Sequence, residues 1–274
     1  MRSLLYCCVV GVLVLAGAPI QASEPFVVYD NFTAPAINPA KWAGFEFFGH
    51  GTEAKRWVDS ALGELRMNYR AFGGTASNSG QTFSGFGLLL SKNTSRITSL
   101  QAQVGVLTAR AIDCASNPAT TQSRAGLRGS FFSTGAPLLG GGATNDVHAL
   151  LFLSRVPSDP PNSLRVQAQV FRCTDALCTR FDSLRQGNLG TATTGQLVQL
   201  QIEWDPQNKR FLFQRGADPK VAIAYTFLTS TAPAVAFKAL ELDDQVENCT
   251  ATPQPVGFMD VVFDNVRVNQ SANP

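Results

Sequence analysis

Three stretches decide the fold: Leu100-Gln101-Ala102-Gln103-Val104-Gly105-Val106, Leu164-Arg165-Val166-Gln167-Ala168-Gln169-Val170 and Val198-Gln199-Leu200-Gln201-Ile202-Glu203-Trp204. In each, every second residue is apolar and the residues between are polar or small. That period of two sets successive side chains on opposite faces of an extended chain, so each run has one apolar and one hydrophilic face. Strands of this kind pair antiparallel and bury their apolar sides in a shared core. The same reading extends to Glu64–Tyr69, Phe83–Leu90, Ala125–Phe132, Val147–Leu153, Arg210–Gln214, Ala222–Phe227 and Phe258–Val268. Turn-forming strings separate them, among them Asn78-Ser79-Gly80, Gly140-Gly141-Gly142, Ser158-Asp159-Pro160-Pro161-Asn162 and Asp205-Pro206-Gln207-Asn208. No stretch longer than about two turns has helical periodicity, and no repeat of 20–50 residues is visible. Many short strands with such spacing predict an all-β, antiparallel two-sheet sandwich in one domain.

The N-terminus has a different character. Met1-Arg2-Ser3 precedes an apolar run from Leu4 to Ala18, followed by Pro19-Ile20-Gln21-Ala22. A positive start, an apolar core and a small residue at the cut predict a signal peptide over residues 1–22, leaving residues 23–274 as the exported domain. The run is shorter than the roughly 20 apolar residues of a membrane span, and no later segment is long and apolar enough to span a bilayer. Lys and Arg number 22 against 20 Asp and Glu; losing Arg2 leaves 21 against 20, a charge near +1. That balance offers nothing to nucleic acid. The expected location is the periplasm or the medium.

Four cysteines follow the leader: Cys114, Cys173, Cys178 and Cys249. An even number in an exported chain predicts two disulfides, with three pairings available. Cys173 and Cys178 bracket the short polar turn Thr174-Asp175-Ala176-Leu177 between two strand-like runs, which favours a clip across a hairpin and leaves Cys114 with Cys249. His50 and His148, the only histidines, lie near neither pair in sequence, so a metal reading of the cysteines is the weaker one.

The two ends of the exported chain are informative together. Tyr29-Asp30-Asn31-Phe32 and Ile37-Asn38-Pro39-Ala40-Lys41-Trp42 stand near its start. Leu200-Gln201-Ile202-Glu203-Trp204-Asp205 and Met259-Asp260-Val261-Val262-Phe263-Asp264-Asn265-Val266-Arg267-Val268 follow in order. This resembles the concanavalin A-like lectin/glucanase superfamily of jelly rolls, which includes laminin G-like domains and family 16 glycosidases. The resemblance implies that the first and last strands lie side by side. It also implies a structural calcium ion held by Asp264 and a carbonyl near Gly63, since such a cation needs six or more oxygen ligands.

Family 16 glycosidases carry a Glu-x-Asp-x-Glu pattern on one strand, which points three carboxylates to one face. The nearest string is Glu241-Leu242-Asp243-Asp244-Gln245-Val246-Glu247, where Glu241 and Asp243 share a face and position 245 is Gln. The missing third carboxylate and the place beside Cys249 favour a solvated acidic loop. Glu203 and Asp205 also alternate, but Asp205 opens a turn string and reads as a turn cap. No Gly-x-Ser-x-Gly elbow is present, and His148 reads as an exposed strand histidine. No catalytic residue is assigned; Glu203, Glu241 and Asp243 are the acidic positions to test. For ligands, Trp42, Trp57 and Tyr69 are the aromatic platform expected to stack sugars, near Phe45, Phe47 and Phe48. These readings lead to an exported, non-catalytic binding or accessory module for a glycan or envelope ligand. The alternatives are a carbohydrate-active enzyme with an atypical acidic site and an adhesive protein with a protein partner.

Overall fold

A computed structural model describes residues 24–47, 49–135, 142–227 and 231–272; the leader, Phe48 and Gly140-Gly141 lie outside them. The alternating runs form strands, as their patterns demand. In chain order these are β1 (Phe26–Asp30), β2 (Trp42–Phe47), β3 (His50–Asp59), β4 (Glu64–Phe72), β5 (Gln81–Leu90), β6 (Ser99–Ile112), β7 (Gln122–Ser133) and β8 (Asp146–Arg155). They continue as β9 (Ser163–Cys173), β10 (Phe181–Thr193), β11 (Leu197–Asp205), β12 (Arg210–Arg215), β13 (Val221–Ala224), β14 (Lys238–Glu247) and β15 (Val256–Asn269). The only helical turns among the described residues are Thr94–Arg96 and Gln270–Ala272.

Two sheets result, with every pairing antiparallel. Sheet A runs β13-β12-β11-β6-β15-β4-β3, with β1 also pairing β15, and sheet B runs β10-β9-β8-β7-β14-β5-β2. The chain's first and last strands are neighbours, Phe26 opposite Asn269. Between the sheets lie Val104, Leu200, Ile202, Phe213, Val261 and Phe263 from one side and Leu88, Leu127, Leu151, Val166, Leu242 and Val246 from the other. Each such side chain removed from water stabilises the sandwich by roughly 1.5–3 kcal/mol. This is the expected all-β jelly-roll sandwich.

Both disulfides are formed: Cys173–Cys178 closes the β9–β10 hairpin, and Cys114–Cys249 joins loops 135 residues apart. Asp205 caps the β11–β12 turn, accepting from the Asn208 backbone N–H at 3.1 Å and from Arg210 Nε at 2.9 Å. Alternation did not reveal β14. Its acidic string is not a solvated loop but an interior strand of sheet B, with Leu240, Leu242 and Val246 in the core and Glu241, Asp243 and Asp244 between them buried as well.

Candidate functional site

Because β14 lies between β5 and β7, alternation sends Glu241, Asp243 and Gln245 to the outer face of sheet B. Their neighbours follow from register. Glu241 stands between Gly87 and Gly126, with Phe45 beyond one glycine and Phe152 beyond the other. Asp243 stands between Gly85 and Arg124, with Phe47 beyond Gly85. The glycines on β5 are required by the rings. A Cβ on Gly85 would come within 2.2 Å of the Phe47 ring, and one on Gly87 within 2.7 Å of the Phe45 ring. Without those methyls the rings lie flat on the sheet beside the carboxylates.

Two arginines from β7 complete the layer. Arg124 contacts Asp243 at 2.5 Å and lies 5.1 Å from the Phe152 ring and 5.8 Å from that of Phe83. Arg128 donates from Nη1 to Glu241 Oε1 at 3.0 Å, with its guanidinium 5.5 Å from the rings of Phe171 and Phe237. Glu241 and Asp243 retain only 4% and 5% of their exposure. Burial pushes both carboxyls above their ordinary range. For Glu241 the Arg128 charge works against that rise and the Asp243 charge adds to it; for Asp243 the charge of Arg124 and its hydrogen bond work against the rise. Glu241 Oε2 is buried and has no hydrogen-bond partner.

His148 is a second correction, since it is not exposed. It is 1% accessible, 3.5 Å from Arg128 Nη2 through Nδ1 and 3.4 Å from Cys173 Sγ through Nε2. Burial, with Arg128 and Lys238 nearby, lowers its pKa well below the ordinary histidine value, so the imidazole is neutral at pH 7. His148, Cys173 and Cys178 are the only converging set of three metal-type side chains among the described residues, and both sulfurs are in the disulfide. Its proximity to the pair is spatial and could not be read from spacing in the sequence.

The expected sugar platform is not brought together. Trp42 is 3% exposed, its Nε1–H donates to Asp30 Oδ2 at 2.7 Å, and it packs against Tyr29 and Phe32. Tyr69 is 1% exposed and stacks on Phe86 between the sheets. Both side chains point inward because their strands turn that face to the core, so neither can meet a ligand. Trp57 is half-buried on the outer face of sheet A, away from the carboxylates, with Lys55 Nζ 4.7 Å from its ring. Glu203 is buried on β11 and paired with Lys220, while Asp205 is engaged by its turn; the two do not form a converging pair.

Asp264 is held up from its ordinary range by burial and by the nearby charge of Asp30, although Asn265 donates to both of its oxygens. Glu64 is raised likewise, by burial and then by Asp264. Gly63, at φ +68°, has the Asn31 carbonyl oxygen 4.0 Å from the place a Cβ would occupy. The charge of Asp264 thus reaches Glu64, and carboxyls and carbonyls are the oxygen types that a calcium ion takes.

No family model matches the sequence, and no curated protein does. Solved structures share the architecture at low identity. A GlcNAcα1-4Gal-releasing endo-β-galactosidase from Clostridium perfringens aligns over 94% of this chain, at 10% identity and a TM-score of 0.47. This chain spans 66% of that protein's length. A Bacillus licheniformis β-glucanase aligns over 91% of this chain and 99% of its own, at 12% identity and TM-score 0.41. A β-1,3-glucanase from Mycobacterium marinum aligns over 89% and 98%, at 11% identity and TM-score 0.39. The two antiparallel sheets, with the first and last strands side by side, are the architecture that the resemblance to the concanavalin A-like superfamily implied. The expectation of a non-catalytic module, and the leaning against an enzyme, are corrected: two of the three rings on which the binding reading rested are buried in the core and cannot stack a sugar.

Proposed function

We propose that the chain is an exported carbohydrate-active enzyme that cleaves a polysaccharide, with Glu241 as the proton donor and Asp243 as the ionised partner. The supporting observation is the buried, unpartnered Glu241 Oε2 on the outer face of β14, between β7 and β5 of sheet B. Two carboxyls with different surroundings can divide the work of glycoside cleavage, one protonating the leaving oxygen and the other remaining charged. Here Asp243 is tied to Arg124, while Glu241 keeps one oxygen free. Alternate positions on one strand place the two Cα atoms about 7 Å apart, comparable to the roughly 5–10 Å between paired carboxyls in such enzymes. Phe45, Phe47 and Phe83 supply ring faces along the same strands, Phe47 and Phe83 with centroids 5.1 Å apart. Gln245 occupies the place of a third carboxylate, which makes the site an atypical one.

Export through the residue 1–22 leader agrees with the two disulfides, which need an oxidising compartment. A calcium ion held by Asp264, with Glu64 and the Asn31 carbonyl, would tie the end of β15 to the loop after β1.

The test is reducing-end release from a panel of β-glucans and galactans by the purified protein and by Glu241→Gln. Loss of a general acid lowers the rate by about 10²–10⁴-fold, so Glu241→Gln should lose activity while keeping its melting temperature. Full activity in that variant, or no release from any polymer by the parent protein, overturns the reading.

A further inference from the structure

On the outer face of sheet A, opposite the carboxylates, one arrangement of side chains occurs twice. At one level Arg70 on β4, Phe258 on β15 and Arg110 on β6 stand in register. The Arg70 guanidinium lies 5.3 Å from the Phe258 ring, and its Nη1 binds Glu53 Oε2 at 2.9 Å. Arg110 is exposed beside the same ring and has no acidic partner among the described residues. Four residues back along β4, about 13 Å, Trp57 stands opposite Arg66. Arg66 lies 5.6 Å from the Trp57 ring and binds Asp260 at 3.0 Å. Lys55 Nζ approaches that ring to 4.7 Å, again without an acidic partner among the described residues. Each unit thus combines a ring, an arginine already balanced by an acid, and one uncompensated cation. A groove of about 560 Å³ lined by Arg70, Phe72, Thr108, Arg110, Val256 and Phe258 opens at the first unit.

We propose that this face is a second carbohydrate-binding surface, separate from the Glu241 site, and that its ligand is an acidic polysaccharide carrying uronate groups. The rings offer flat apolar faces to the C–H side of a sugar, as aromatic side chains do. The paired arginines hold those rings in place and leave no net charge. Arg110 and Lys55 then supply one positive charge per unit for a ligand carboxylate, and the spacing suits an extended chain rather than a single ion.

The experiment compares binding of polygalacturonate and of its fully methyl-esterified form by affinity electrophoresis and calorimetry. The free acid should bind and the ester should not. Arg110→Ala and Lys55→Ala, both at exposed side chains and folded by melting temperature, should each weaken binding about tenfold, the value of one charge-assisted contact. Phe258→Ala should weaken it with no change in the salt dependence. Binding is read without turnover, so failure of the catalytic reading leaves this result legible. Equal binding of acid and ester, affinity unchanged in the Arg110→Ala/Lys55→Ala double variant, or equal binding of single-stranded DNA would each overturn the proposal.

Discussion

Lys238 sets up a pH dependence of stability that can be worked out from its surroundings. The side chain enters the sandwich at the start of β14, 1% exposed, and lies across Gly129, where a Cβ would meet Lys238 Cδ at 2.3 Å. Its ammonium reaches Ser130 O at 2.6 Å and Thr94 O at 3.3 Å and sits 4.3 Å from the Phe131 ring, with no carboxylate as partner. Burial lowers its pKa from 10.5 to about 7. A lysine whose folded pKa is depressed is protonated in the unfolded chain but not in the folded one between those two values. Unfolding then takes up a proton, so stability rises with pH across that window and is nearly flat below it. The full difference of about 3.5 units corresponds to about 5 kcal/mol, and the part gained from pH 7 to pH 9 is about 2 kcal/mol. Tyr29, Tyr69 and Tyr225 are raised by burial and oppose the trend only above pH 10, and His148 contributes only below its ordinary range. The carboxyls of Asp244, Glu241 and Asp243, raised by burial, also oppose it, but they are common to the parent and to Lys238→Met, so the difference between the two isolates the lysine. Urea unfolding of the disulfide-intact protein at pH 7 and pH 9 should show the gain, and Lys238→Met should abolish it. The difference in slope is the readout, because loss of two hydrogen bonds to carbonyls shifts both pH values alike. A gain of the same size in Lys238→Met would refute the argument.

Two further outcomes follow from the loops. Removing the Cys114–Cys249 link, which closes 135 residues, should cost about 5 kcal/mol, and removing Cys173–Cys178, which closes five, about 2 kcal/mol; urea midpoints of the two double-serine variants check the order, and the reverse order would contradict it. Calcium at millimolar concentration should raise the melting temperature of the parent protein and leave that of Asp264→Asn unchanged; no shift in the parent removes the ion from the account.

The sandwich was legible wherever apolar residues facing the core alternated with polar residues on the outer face of the sheet. Runs such as Leu164–Val170 and Val198–Trp204 alternate for that reason, and they became β9 and β11. The acidic string of β14 was not legible because both its faces are buried. Its charges are tolerable only through Arg124 and Arg128, which lie 119 and 113 residues earlier in the chain and meet it by strand pairing alone. Polar composition therefore pointed to a loop. The side-by-side placement of Glu241 and Asp243 was legible, as it depends only on period two. The platform aromatics failed for the complementary reason: residue type does not say which face a strand turns inward, and Trp42 and Tyr69 face the core.

The same pairing explains how the outer layer of sheet B is organised. Arginine can only donate, so its 3.5 Å approach to His148 makes Nδ1 the acceptor and leaves the imidazole proton on Nε2, directed at Cys173 Sγ 3.4 Å away. Glu241, Arg128, His148 and the Cys173–Cys178 bridge thus form one continuous line of contacts from β14 to the β9–β10 hairpin. Glu241 is consequently oriented from one side by a group that is itself held in place, while its other oxygen remains unengaged.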